Sequence, residues 1–129
     1  MRLLLDTNIL IPIARQRLEE LDRNIAAVLM SSDNTLYASV ASIWEIAIKT
    51  RIGKLDTRIA PADLPEYLDN ENIQVFAIEA QHVLKELVDL PSTNDPFDRL
   101  LLAQCEVEGL RLVTRDRALA KHPLAWRAR

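Results

Sequence analysis

The sequence predicts a single α/β domain, spanning residues 1–129, with a central parallel sheet and helices on both faces. Two observations carry the class. Short apolar runs that read as strands open the chain at Arg2–Leu5 and recur near residues 35–38, 73–77 and 110–114. Helical stretches separate them, and strands joined through helices imply crossover connections and a parallel sheet. A length of 129 residues suits one domain with one core.

Taken in order, Arg2-Leu3-Leu4-Leu5 is a buried strand that delivers Asp6 to its C-terminal tip. Residues 9–15 read as a short helix with Pro12 in its first turn. The helical pattern continues over 16–30, with Leu18, Leu21, Ile25, Val28 and Leu29 at spacings of three and four. Residues 31–34 form a turn before the second strand. Ser39 or Ser42 then caps a helix running to about Ile52, with Ile43, Ile46, Ala47 and Thr50 inward and Gly53 as its stop. A further helix covers 61–70, and 73–77 alternates weakly as a third strand. Residues 79–90 give the cleanest amphipathic helix, with Ala80, Val83, Leu84, Leu87 and Val88 on one stripe and Pro91 ending it. Asp95-Pro96 opens a helix through Glu108, stopped by Gly109. A fourth strand covers 110–114, a short helix follows Asp116, and 124–126 reads as a last edge strand.

With 49% apolar and 27% charged residues, the composition is that of an ordinary globular protein. No apolar run approaches a membrane span, and the opening run is too short for a signal-peptide core, so the expected compartment is the cytoplasm with no membrane partner. One cysteine, Cys105, excludes an internal disulfide and a thiolate cluster, and its apolar helical setting reads as core. The net charge of −3 argues against binding nucleic acid by charge alone. Residues 96–129 hold seven Lys/Arg against four Asp/Glu, a net of +3, while residues 1–95 hold nine against fifteen, a net of −6. That basic third could face a phosphate backbone or simply water.

Carboxylates recur at equivalent places, just after a strand or in the first turns of the next helix: Asp6, Glu45, Asp95 with Asp98, and Asp116. Each has an ordinary reading. Glu45 precedes Lys49 by four residues, the spacing of a surface ion pair. Asp95 before Pro96 looks like a helix cap, Asp98 favours the helix dipole, and Asp116 caps its own helix. Asp6 differs, because a carboxylate at the end of a buried strand needs a partner. Together the acids would repel, so a cluster calls for a cation or raised pKa values. All-oxygen donors point to Mg²⁺ or Mn²⁺ and to phosphoryl chemistry. Ser42, Asn8 and Thr114 are candidates to orient the acids. With only Gly53 and Gly109, the chain has no phosphate-cradling glycine loop. His82 and His122 lack ligand spacing and read as structural or surface residues.

Four stretches resemble the PIN domain, and more narrowly the VapC-type ribonuclease toxins of prokaryotic toxin–antitoxin pairs. They are Leu5-Asp6-Thr7-Asn8, Ser42-Ile43-Trp44-Glu45-Ile46-Ala47-Ile48-Lys49, Asp95-Pro96-Phe97-Asp98-Arg99-Leu100-Leu101-Leu102-Ala103-Gln104 and Val113-Thr114-Arg115-Asp116. The resemblance spans essentially the whole chain in the family's order. It implies an α/β/α fold and a Mg²⁺- or Mn²⁺-dependent endoribonuclease whose acidic quartet is Asp6, Glu45, Asp98 and Asp116, with Asp95 auxiliary. It also implies a cognate antitoxin bound across the active-site groove and a homodimer, for which Ile9, Ile11 and Leu21 are candidate contacts, with most of them expected to be core. Lys49, Arg99 and Arg115 are candidates for the RNA backbone. One departure is Thr93, where members with this stretch often carry His; another is a short tail after Asp116. Two rivals stay open. One is a haloacid dehalogenase-like phosphatase, although Asn8 stands where that chemistry wants a second Asp. The other is a catalytically silent module that binds RNA or protein.

Overall fold

In the computed structural model, which describes residues 1–128, the opening run Arg2–Leu5 forms β1, inside a four-stranded sheet. β2 (Thr35–Ser39), β3 (Ile73–Phe76) and β4 (Arg111–Val113) complete the sheet in the order β3-β2-β1-β4, every pair parallel. Leu3, Leu4 and Leu5 are all fully buried, as a parallel strand covered on both faces requires. Their side chains alternate: Leu3 and Leu5 join one apolar cluster and Leu4 joins another.

The first cluster draws on α1 (Thr7–Ala14), α2 (Arg23–Met30) and α4 (Leu64–Asn70) through Ile9, Leu10, Ile13, Ile25, Leu64 and Leu68. The second draws on α6 (Pro96–Glu108) and α7 (Arg117–Ala120) through Leu101, Leu102, Cys105 and Leu119. α3 (Val40–Arg51) gives Ile46 to the first and Ala41 to the second, and it packs against both α1 and α6. It therefore straddles the two layers at the C-terminal edge of the sheet.

From β1 the chain steps outward to β2 and β3, then returns to lay β4 on the other side of β1. The gap between β1 and β4 is thus where the direction of winding reverses, the position at which open α/β sheets bind ligands.

Several expectations need correction. The helix expected over 16–30 is broken. α1 ends at Arg15, Gln16 takes a left-handed φ of 58°, and Arg17 N–H bonds the Pro12 carbonyl at 2.9 Å, a helix stop of the Schellman kind. A single 3-10 turn over Leu18–Glu20 follows before Asp22 caps α2. The amphipathic helix expected over 79–90 is only α5, Ala80–Leu84. Beyond it Lys85 pairs with Glu106 at 3.2 Å and Val88 N–H bonds Glu106 Oε1 at 3.2 Å. These contacts lay the segment along α6 and leave Val83, Leu84, Val88 and Leu90 exposed. Ser39, not Ser42, caps α3, through the Ala41 N–H. The expected edge strand at 124–126 is one parallel bridge, Leu112 to Ala125. Ile9 and Leu21, named as dimer contacts, are core residues, and Ile11 packs half-buried against the same cluster.

Cys105 is buried, which pushes its thiol far above the usual range. His82 is also buried, with Nδ1 accepting the Glu79 N–H at 2.9 Å and Nε2 meeting Glu108 Oε1 at 2.9 Å. Among the described residues no helix is long and apolar enough to cross a membrane.

Candidate active site

Asp6 follows β1 directly. The register pairs Leu5 with Val113, and Asp6 N–H carries the ladder one step further onto the Val113 carbonyl at 2.9 Å. That step sets Asp6 beside Thr114, whose hydroxyl donates to Asp6 Oδ2 at 2.7 Å. The other oxygen accepts the Thr7 N–H at 2.7 Å and so caps α1. Asp6 is 4% exposed. Burial raises its carboxyl to about 6; the Thr114 and Thr7 bonds pull it down, and the nearby Glu45 and Asp116 push it up.

The remaining acids arrive from other elements. Asp98 lies in the first turn of α6, after Asp95 has capped that helix through the Phe97 N–H at 2.8 Å. Its carboxyl is also raised to about 6, first by desolvation, then by Asp6 and Asp95, with a smaller push from Asp116; the Thr93 hydroxyl eases it. Asp116 caps α7, its Oδ1 accepting from Ala118 N–H at 2.8 Å and Leu119 N–H at 3.2 Å. Glu45 lies on α3 and meets Lys49 at 2.8 Å. The ordinary roles of Asp95, Asp116 and Glu45 are therefore all realised in the structure. Yet Glu45 and Asp116 are close enough to act on Asp6, and Asp6 and Asp116 close enough to act on Asp98.

The supporting polar residues divide. Thr114 Oγ accepts from the Asp116 N–H at 3.0 Å and from Asn8 Nδ2 at 3.2 Å, while Asn8 Oδ1 accepts the Arg115 N–H at 3.1 Å. Asn8 and Thr114 thus tie the end of β1 to the turn after β4. Ser42 does not reach an acid; its Oγ accepts from the buried Thr7 hydroxyl at 2.9 Å and joins α3 to α1. Of the candidate RNA contacts, Lys49 is engaged by Glu45, and Arg99 braces the loop before α6 through the Thr93 carbonyl and Asn94 Oδ1. The Arg115 side chain is exposed.

Thr7, an expected hydroxyl partner of Asp6, gives the acid its backbone N–H and sends its hydroxyl to Ser42. Trp44 escaped the sequence reading; it precedes Glu45, stands 57% exposed, and meets the Phe97 ring at 5.5 Å between centroids and 64° between planes.

The donors are all carboxylate oxygens, the set that suits Mg²⁺ or Mn²⁺. Among the described residues, no three His, Cys, Asp or Glu side chains stand in metal-holding geometry. Asp6, Asp116 and Glu45 each aim an oxygen at a protein partner. The donor chemistry fits a divalent ion, which would also relieve the burial and the mutual repulsion that raise the Asp6 and Asp98 carboxyls. A groove of about 730 Å³ between α6 and residues 83–90 has none of these acids in its lining.

The PIN domain family model matches residues 3–123. Among solved structures, a chain of VapBC2 from Rickettsia felis, crystallised bound to a DNA fragment from its promoter, aligns at a TM-score of 0.62. Its identity is 17%, over 97% of this chain and 96% of that one. A chain of a toxin–antitoxin complex from Klebsiella pneumoniae aligns at 0.52 with 19% identity, over 96% and 95%. A search of curated protein sequences gives no match. At these identities the structural likeness speaks for the fold, and the family match covers nearly the whole chain: the protein belongs to the PIN domain family.

Proposed function

We propose that this PIN domain is a divalent-metal-dependent endoribonuclease and the toxin of a toxin–antitoxin pair, working in the cytoplasm as a homodimer. The observation that supports the reading is that Glu45 and Asp116 lie near enough to Asp6, and Asp6 near enough to Asp98, for their charges to act on the Asp6 carboxyl and on that of Asp98. Among the described residues only Glu45 of the four has a cationic partner. Structural similarity to chains from two toxin–antitoxin assemblies supports the toxin role and a protein antitoxin as partner.

Asp6, Asp98 and Asp116 would hold Mg²⁺ or Mn²⁺, with Glu45 holding or orienting it from α3. The bound ion supplies a lowered water pKa and positive charge at the scissile phosphate. The chain's own part is positional. Thr114 and the Thr7 N–H fix both oxygens of Asp6, so its carboxylate cannot swing into the β1 core. Ser42 and Thr7 lock α3 to α1 and so set how far Glu45 stands from Asp6. Asn8 is committed to Thr114 and Arg115, so the aspartyl-phosphatase reading has no second acid at that place.

The test is cleavage of RNA by partner-free protein with Mg²⁺ or Mn²⁺, comparing wild type with Asp6→Asn and Asp98→Asn. Metal-dependent cutting by wild type, with at least ~100-fold loss in both variants, is the expected result. Wild-type protein that cuts no RNA, or variants that cut as well as wild type, would sink the proposal.

A further inference from the structure

Trp44 is placed in a way that neither the fold nor the acid cluster requires. The chain has six aromatic side chains, two each of Trp, Tyr and Phe. Five of them are half-buried: Tyr37 and Phe76 meet edge to face, Tyr67 and Trp126 pack on the first apolar cluster, and Phe97 packs on the second. Trp44 alone is exposed, at 57%. A large apolar side chain left in water gains nothing for folding; Trp44 shares that exposure with Met30, Leu84 and Val88, and what sets it apart is an aromatic face and the neighbour it meets.

That position is specific. Trp44 precedes Glu45 on α3, and its ring meets Phe97, which lies between Asp95 and Asp98 at the start of α6. The two helices that deliver Glu45 and Asp98 therefore also fix the indole. A phosphate held among the acids would carry its own or its neighbour's base into the same region. Proteins that handle single-stranded RNA splay bases out and stack them on aromatic rings, which tolerates many sequences because every base has a π face.

We infer that the Trp44 indole is a stacking platform for an unpaired RNA base next to the cleaved phosphate, with Phe97 holding the indole in place. The inference rests on the nuclease reading above and deepens it: the substrate at the cut is single-stranded. Val40 on α3 and Ile52 just past its end are also exposed, so a protein docked on this helix is the competing occupant. Stacking is favoured because Trp44 is the one exposed apolar side chain of α3 that abuts the acid-bearing turn of α6.

The experiment measures kcat and KM for Trp44→Phe, Trp44→Leu and Trp44→Ala on a single-stranded oligoribonucleotide with a mapped cut site. A matched oligonucleotide carries an abasic residue beside the cut. Sedimentation reports the association state of each protein. Stacking predicts that kcat/KM falls about tenfold in Leu and Ala and stays within about threefold in Phe. It also predicts that the abasic residue lowers wild type by a similar factor but costs the Leu variant little more. A Leu variant as active as wild type overturns the stacking role and leaves the nuclease reading standing. So does a loss confined to variants that change association state, which assigns Trp44 to a protein contact. Wild-type protein that cuts neither oligonucleotide overturns both.

Discussion

The Thr114 hydroxyl donates to Asp6 Oδ2 at 2.7 Å while its oxygen accepts from the Asp116 N–H and from Asn8 Nδ2. One donor and two lone pairs are the whole capacity of a hydroxyl, so Thr114 is saturated. It is the joint between the first strand and the last.

Thr114→Val keeps the shape and removes the joint. Asp6 loses a bond that lowers its pKa, so its carboxyl should move above about 6. An ionised Asp6 is then reached only at higher pH, and the acid limb of the cleavage profile shifts upward. At pH 7, kcat/KM should fall about tenfold, with roughly 1–3 kcal/mol lost from stability as the Asp116 N–H and Asn8 lose their acceptor. Thr114→Ser should restore both. The pH–rate profile is the deciding measurement: no shift in the Val variant removes Thr114 from any role in tuning Asp6.

Asp6→Asn should stabilise the metal-free protein at neutral pH while lowering cleavage. Asp6 ionises near 3.8 when unfolded and near 6 when folded. Below about pH 4 it is neutral in both states and costs nothing. Between those values the unfolded chain releases a proton that the folded chain keeps, so stability falls as pH rises, and the full cost stands above about pH 6. At ~1.4 kcal/mol per pH unit the cost is on the order of 2–3 kcal/mol. The new amide finds Thr114 already saturated and forfeits about 1 kcal/mol. Urea denaturation should show Asn ahead by roughly 1–2 kcal/mol at pH 7.5 and behind at pH 4. An Asn variant less stable at both values contradicts this account of Asp6.

Divalent ions should act on the same charge from the other side. Mg²⁺ or Mn²⁺ at millimolar concentration should raise the melting temperature of wild type by a few degrees, about 1–2 kcal/mol by mass action. Asp98→Asn should lose most of that rise. An equal rise in both proteins would place the ion elsewhere.

Gln16 adopts a left-handed backbone at a helix stop where glycine is preferred. Gln16→Gly should add about 0.5–1 kcal/mol, or roughly 2–4 °C, with cleavage unchanged. A calorimetric scan that shows no gain would mean that the Gln16 side chain offsets the strain.

These residues show what the sequence could and could not convey. Asp6 was legible because a carboxylate after Leu3-Leu4-Leu5 needs a reason, and the order of strands and helices followed from spacing. The β1–β4 adjacency was not legible, because a parallel strand carries no mark of its neighbour; only the Leu5–Val113 register reveals Thr114 as Asp6's partner. The helix over 79–90 failed for a related reason. Its apolar stripe is genuine, but Glu106 on α6 draws Lys85 and Val88 out of helical geometry, and a tertiary contact of that kind outweighs local propensity. Trp44 sat inside a stretch already singled out for Glu45, and exposure is a property of the fold.

The bond from Thr114 to Asp6 joins residues 108 positions apart. Loop closure over most of this stretch must precede it, and β4 follows the other three strands of the sheet in the chain. A ribosome-bound chain that ends before β4 carries Asp6 without its hydroxyl partner and without Asp116. The acid set is therefore complete only once residues 111–116 have been made and β4 has paired with β1.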